Sequence, residues 1–182
     1  MIKIMRTSIL TFALVLACAG MVSINMSAPA ANVRLQQEEQ DPLIGKRFLD
    51  VSAKDANGKT HKLSQYAGKG QWVLVDFWAS WCGPCEEEMP NVVAAYRKYH
   101  DKGFEIVGFS LDESKEDWLE ALDSWNMTWI NLSDLKGWGS AASQRYGIEG
   151  IPDNVLIDPD GTVVARDLRG DDLSDYLSSI FN

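Results

Sequence analysis

"WVLVDFWASWCGPCEEEMP", residues 72–90, changes character twice within nineteen residues. Trp72 to Trp78 is an apolar run broken by one acid, Asp76, and suits a strand covered on both faces. After Pro84 the period lengthens: Met89, Val92, Val93, Tyr96 and Tyr99 share one helical face, with Arg97 and Lys98 off it. Pro90 lies inside that helix and is expected to kink it. Cys82-Gly83-Pro84-Cys85 therefore occupies a strand-to-helix junction.

At such a junction the first sulfur meets unpaired backbone N–H groups and the positive end of the helix dipole, which favour a thiolate. The second sulfur lies one turn in, more buried, and can attack a mixed disulfide formed by the first. Gly83 permits close approach, and Pro84 sits where no N–H is needed. The pair makes a poor structural staple, because bridges gain stability by closing long loops and this one encloses two residues. A zinc site needs four ligands. Only His61 and His100 could supplement the cysteines, neither is spaced as a ligand pair, and both are read as surface residues. No metal is expected.

Glu86, Glu87 and Glu88 crowd the far side of the thiols. Acids suit a helix N-terminus, so helix stability alone could explain them. Their charge would also oppose the thiolate slightly and steer basic substrates toward the site.

Around this centre lies a chain of 182 residues, with 46% hydrophobic and 24% charged residues and a net charge of −9. That is room for a leader and one domain, and the acidity argues against nucleic acid as a partner. Lys3 and Arg6 precede an apolar run from Ile9 to Ile24, followed by the small residues Ser27-Ala28-Pro29-Ala30. This is the order of a signal peptide over residues 1–30. "LVLAC", 14–18, resembles a bacterial lipobox and offers a lipidated Cys18 as the alternative, and an uncleaved anchor is a third. Each makes the domain exported, to a bacterial periplasm or cell envelope, with membrane contact only through the leader or the lipid. Loss of Lys3 and Arg6 from seventeen basic residues leaves fifteen against twenty-six acids, a net of −11, with two cysteines. Outside the cytoplasm an even pair signals a disulfide.

Residues 31–42 are polar and aperiodic, a tether, and the folded domain is expected over 43–182. Phe48, Val51 and "DANGKT" suggest an N-terminal β-hairpin with Asn57-Gly58 at its tip. "FEIVGFSL" (104–111) is a second buried strand after Gly103, and "SKEDWLEALDSW" (114–125) a helix capped by Ser114. Trp118 and Trp125 on that helix are read as core or groove wall. "MTWINL" suggests a short strand, and "SAASQRYG" a helix stopped at Gly147. "NVLIDPDGTVVARDL" reads as two strands about an Asp158-Pro159-Asp160-Gly161 turn, and "DDLSDYLSSIF" closes the chain as a helix. This order predicts an α/β fold: a mixed central sheet flanked by helices on both faces, built on a βαβ unit.

"VDFWASWCGPC" resembles the thioredoxin active-site strand and motif. With the added hairpin, "EMP", "GFEIVGFSLDES" and "YGIEGIPDNVLID", residues 43–182 resemble the exported TlpA/ResA/DsbE-type thiol–disulfide oxidoreductases. The resemblance implies a thioredoxin fold and roles by position. Cys82 attacks, Cys85 resolves, and the two alternate between dithiol and disulfide. Ile151-Pro152 matches the family's cis-proline site, which pairs with substrate backbone, and Asp76 matches the buried carboxylate that relays a proton for the resolving cysteine. Trp81, Gly83 and Pro84 line the substrate side. Asn154 departs from the threonine usual two residues past the cis-proline, and Glu86-Glu87-Glu88 stand where relatives place a basic residue. The implied activity is reduction of disulfides in protein substrates without an organic cofactor, supplied with electrons by a membrane thiol-transfer protein. A thiol peroxidase on the same fold is the alternative, although Ala79 replaces the threonine expected three residues before its reactive cysteine. A non-catalytic binding module is another.

Overall fold

A computed structural model describes residues 41–181. The signal-peptide, Cys18 and anchor readings lie outside the described residues, as does most of the tether. Asp41 is held in place: its Oδ1 accepts the Leu43 N–H at 2.7 Å, and its Oδ2 lies 3.1 Å from the Arg166 guanidinium.

The elements run β1 (Ser52–Lys54), β2 (Thr60–Lys62), β3 (Trp72–Trp78), α1 (Gly83–Tyr99), β4 (Phe104–Ser110), α2 (Lys115–Ser124), β5 (Ile130–Ser133), α3 (Ala141–Tyr146), β6 (Asp153–Ile157), β7 (Val163–Arg166) and α4 (Gly170–Phe181). The strands form one mixed sheet in the order β2-β1-β5-β4-β3-β6-β7. At its centre β3 pairs parallel with β4 from Trp72↔Phe104 to Trp78↔Ser110, and antiparallel with β6 from Val73↔Ile157 to Phe77↔Asp153. Every residue of β3 from Val73 to Trp78 is buried, so both sheet faces are covered there. This is the thioredoxin fold expected from the sequence. The β1–β2 hairpin extends the sheet through an antiparallel Lys54↔Ser133 pairing with β5.

The expected signals hold at the element ends. Ser114 caps α2 by accepting the Asp117 N–H, and Gly147 ends α3 in the left-handed region. α1 runs unbroken through Pro90 and packs on α4, where Tyr99 Oη and Ser178 Oγ lie 2.9 Å apart. Trp118 is buried, and Trp125 packs its ring 5.4 Å from that of Trp78.

One reading is corrected. His61 is buried, not a surface residue. The two-residue period of β2 turns it inward while its neighbours face solvent. Both ring nitrogens then find partners: Nδ1 lies 2.6 Å from Tyr66 Oη and Nε2 lies 3.0 Å from Asp55 Oδ2.

Gly108 sits in β4 directly beside Asp76. A Cβ there would lie 2.3 Å from Asn131 Oδ1 and 3.0 Å from Trp78 Nε1. Asn131 cannot swing away freely, because its amide donates to the carbonyls of Trp129 and Met127. Gly108→Ala is therefore expected to destabilise the oxidised protein by about 1–3 kcal/mol, the usual cost of overpacking. Urea unfolding would show it as a lower midpoint at unchanged slope; an unmoved midpoint would mean the sheet has slack there.

Candidate active site

The thiol pair is built by the start of α1. Cys82 is the N-cap residue in extended conformation, and its Sγ accepts the Cys85 N–H at 3.1 Å. The Cys82 carbonyl takes the N–H groups of Cys85 and Glu86, which begins the helix. Cys82 and Cys85 are joined as a disulfide with a Cα–Cα distance of 5.2 Å. Both are buried, Cys82 at 5% exposure and Cys85 at 1%, so the first remains the more accessible. Gly83 and Pro84 are exposed, and Trp81 presents 55% of its surface to solvent.

Ile151–Pro152 is a cis peptide. Asp153 pairs with Phe77, so this peptide sits at the end of β3 from which the Cys82 loop departs. Two arginines absent from the sequence reading hold the segment. Arg169 donates to the Pro152 carbonyl. Arg166 grips Asp153 through Nε at 3.2 Å and Nη2 at 2.7 Å, and also donates to the carbonyls of Tyr146 and Gly147. Burial raises the Asp153 carboxyl above its ordinary range, and Arg166 pulls it back down. Asn154 is buried. Its amide bonds the Leu168 carbonyl at 2.8 Å and its Oδ1 accepts the Leu168 N–H at 3.1 Å, tying β6 to the segment after β7.

Asp76 is fully enclosed, and its Oδ2 has no hydrogen-bond partner. Burial pushes its carboxyl from the ordinary 3.8 up to about 7; the charges of Glu88 and Asp153 add to the rise, and Arg169 opposes it. The three glutamates divide. Glu86 and Glu87 are exposed on the helix flank. Glu88 is half-buried, with Oε1 accepting the Gly170 N–H at 2.8 Å at the start of α4 and Oε2 accepting from Asn91. Glu86 and Glu87 are thus the more exposed of the three, and Glu88 is tied to the start of α4.

Sequence reading also passed over Asp112. It is buried after β4 and takes the Ser80 hydroxyl at 2.6 Å, the Ser80 N–H at 3.1 Å and the Ser110 hydroxyl at 2.6 Å. It thereby anchors the loop that leads into Trp81 and Cys82. Among the described residues no cluster of histidine, cysteine and acidic side chains is placed to hold a metal ion.

Known proteins resemble this chain in sequence and fold. The AhpC/TSA family model matches residues 44–166. A thiol-disulfide oxidoreductase ResA from Bacillus thuringiensis subsp. konkukian is 32% identical over 147 residues, covering 79% of this chain and 82% of the relative. A ResA from Geobacillus thermodenitrificans is 30% identical over 140 residues, covering 75% and 78%. Among solved structures, the thioredoxin domain of a thiol-disulfide oxidoreductase from Bacteroides vulgatus superposes with a TM-score of 0.70 at 34% identity, covering 76% of this chain and 98% of that domain. A thiol:disulfide interchange protein from Bacteroides sp. gives 0.67 at 33%, covering 76% and 90%.

Proposed function

The chain belongs to the AhpC/TSA family and is a thiol–disulfide oxidoreductase, and from that premise we propose that it works as an exported reductase of protein disulfides through Cys82 and Cys85. The observation that carries this is the bonded Cys82–Cys85 pair at the N-terminus of α1. The Cys82 thiolate attacks one sulfur of a substrate disulfide, and the other sulfur leaves as a thiolate. Cys85 then attacks Cys82 Sγ and releases the second substrate thiol. Two electrons pass to the substrate and leave the Cys82–Cys85 disulfide. A dithiol donor must restore it, and a membrane thiol-transfer protein fits an exported enzyme.

Cys85 must lose its proton to resolve the mixed disulfide. Asp76, with an unpartnered oxygen and a carboxyl raised to about 7, is suited to accept it near neutral pH. Ile151 and Pro152 supply backbone at the same end of β3, where an extended substrate can pair, and Trp81, Gly83 and Pro84 form the exposed side of the cleft. The signal-like residues 1–30 support export, with lipidation of Cys18 as the second route to the envelope. Ala79, apolar and buried where a peroxidase would place a hydroxyl, disfavours peroxide chemistry.

Turnover of insulin disulfides with a dithiol donor tests the reading. Precipitation of the insulin chains at substoichiometric protein is expected, and Cys82→Ser should abolish it. A protein that binds insulin without turning it over would be a binding module instead.

A further inference from the structure

Large apolar side chains that remain exposed in a folded domain are most informative when they cluster. Among the described residues three stand out: Trp81 at 55% exposure, Trp138 at 48% and Leu119 at 37%. Two of them touch. The Trp81 and Trp138 rings lie 6.2 Å apart at 52°, although 57 positions separate them in the chain. Trp81 immediately precedes Cys82, so the pair borders the thiol that meets substrate.

Trp138 is held there by a constrained turn. Gly137 has φ +54, a left-handed conformation that favours glycine, and a Cβ on it would lie 2.6 Å from the movable Glu113 Oε1. The turn is closed by Gly139 N–H to the Lys136 carbonyl at 2.8 Å and by Ser140 N–H to the Gly137 carbonyl at 3.0 Å. On the preceding side Ser133 Oγ bonds the Ser110 carbonyl and accepts the Leu135 N–H. The structure thus holds an indole half in water beside the nucleophile at the cost of a left-handed glycine. Core packing does not account for that exposure.

Resting on the reductase reading above, we propose that Trp138 completes, with Trp81, an aromatic platform for the substrate polypeptide, seating an apolar or aromatic side chain next to the target cysteine. The occupant follows from position. A chain bonded to Cys82 Sγ must leave over its exposed neighbours, because Cys82 itself is 95% covered. On this side those neighbours are two tilted indoles, whose faces and edges accept another ring or a branched aliphatic group. Trp138 is a specificity residue that touches substrate away from the reacting sulfurs, so it acts on binding and leaves the dithiol unchanged.

Two disulfide peptides, identical except for tryptophan or serine beside the target cysteine, provide the test. Wild-type protein should favour the tryptophan peptide. Trp138→Ala should lose about tenfold in kcat/KM on that peptide, mainly through KM, the size of an interface hot-spot truncation. The serine peptide should stay within about twofold of wild type, an effect too small to mark a lost contact. Trp138→Phe should recover most of the loss, and the reduction potential should be the same in all three proteins. Equal losses on both peptides, or equal wild-type rates for both, would overturn the platform while leaving the reductase intact. Failure of wild type to reduce either peptide would instead overturn the reductase reading.

Discussion

Cys85→Ser protein is expected to accumulate mixed disulfides with its substrates, while Cys82→Ser protein accumulates almost none and both lose turnover to the level of uncatalysed exchange. The asymmetry comes from the first turn of α1. Cys82 Sγ is the acceptor of a backbone N–H at 3.1 Å, a contact that stabilises negative charge on that sulfur. Cys85 is one turn inside the helix at 1% exposure, so a protein substrate cannot reach it. Once Cys82 has bonded a substrate, Cys85 is the thiol among the described residues that is placed to cleave the link. Its removal should freeze the complex. Non-reducing gels after acid quenching, compared with the same samples reduced, measure the trapped fraction. Equal trapping by the two variants would remove the assignment of attacking and resolving roles.

The fold was legible where one physical signal dominated. β3 announces itself because a strand buried on both faces must be apolar throughout, and the 72–78 run has one exception. That exception, Asp76, is the residue with the strongly raised carboxyl, so the one local disagreement with the pattern marked the group that the proposed mechanism uses. The hairpin turn, the Ser114 cap and the Gly147 stop were equally readable, since each depends on a few neighbouring residues.

Contacts between distant segments were not legible. Asp112 serves Ser80 across 32 positions, and Arg166 reaches Asp41 across 125, separations that no local period encodes. His61 was misread because a single histidine carries no sign of its partners, and Tyr66 and Asp55 became visible only once the hairpin closed. Asn154 illustrates the same limit from the other side. It departs from the family's threonine, and only the structure shows its side chain imitating a backbone pair with Leu168. Nothing local in the sequence set Trp138 apart from the other tryptophans, and its place beside Trp81 depends on a contact across 57 positions.

Asp76→Asn is expected to make the oxidised protein more stable at pH 8 by up to about 4 kcal/mol and to leave it unchanged near pH 4. Burial first, then the charges of Glu88 and Asp153, lift the Asp76 carboxyl from 3.8 to about 7 in the folded protein. The unfolded chain releases this proton near 3.8, so between the two values the folded state binds more protons than the unfolded one. Stability from this group therefore falls as pH rises across that window. Below it both states are protonated and the residue costs nothing. Above about 7 the full cost is present, and a gap of that width corresponds to about 4 kcal/mol. Asparagine has nearly the shape of the neutral acid and cannot ionise, which removes the cost only where wild type carries it. Asp153, also raised, is common to both proteins and largely cancels in the difference. Urea unfolding of oxidised wild type and variant from pH 4 to 8 would trace the gain; a difference that does not change with pH would show that Asp76 is not held protonated. If Asp76 takes the Cys85 proton as proposed, the same variant should turn over more slowly near neutral pH. A buried carboxylate whose ionisation opposes folding is hard to explain by packing, and the proton transfer proposed above would supply a reason for it.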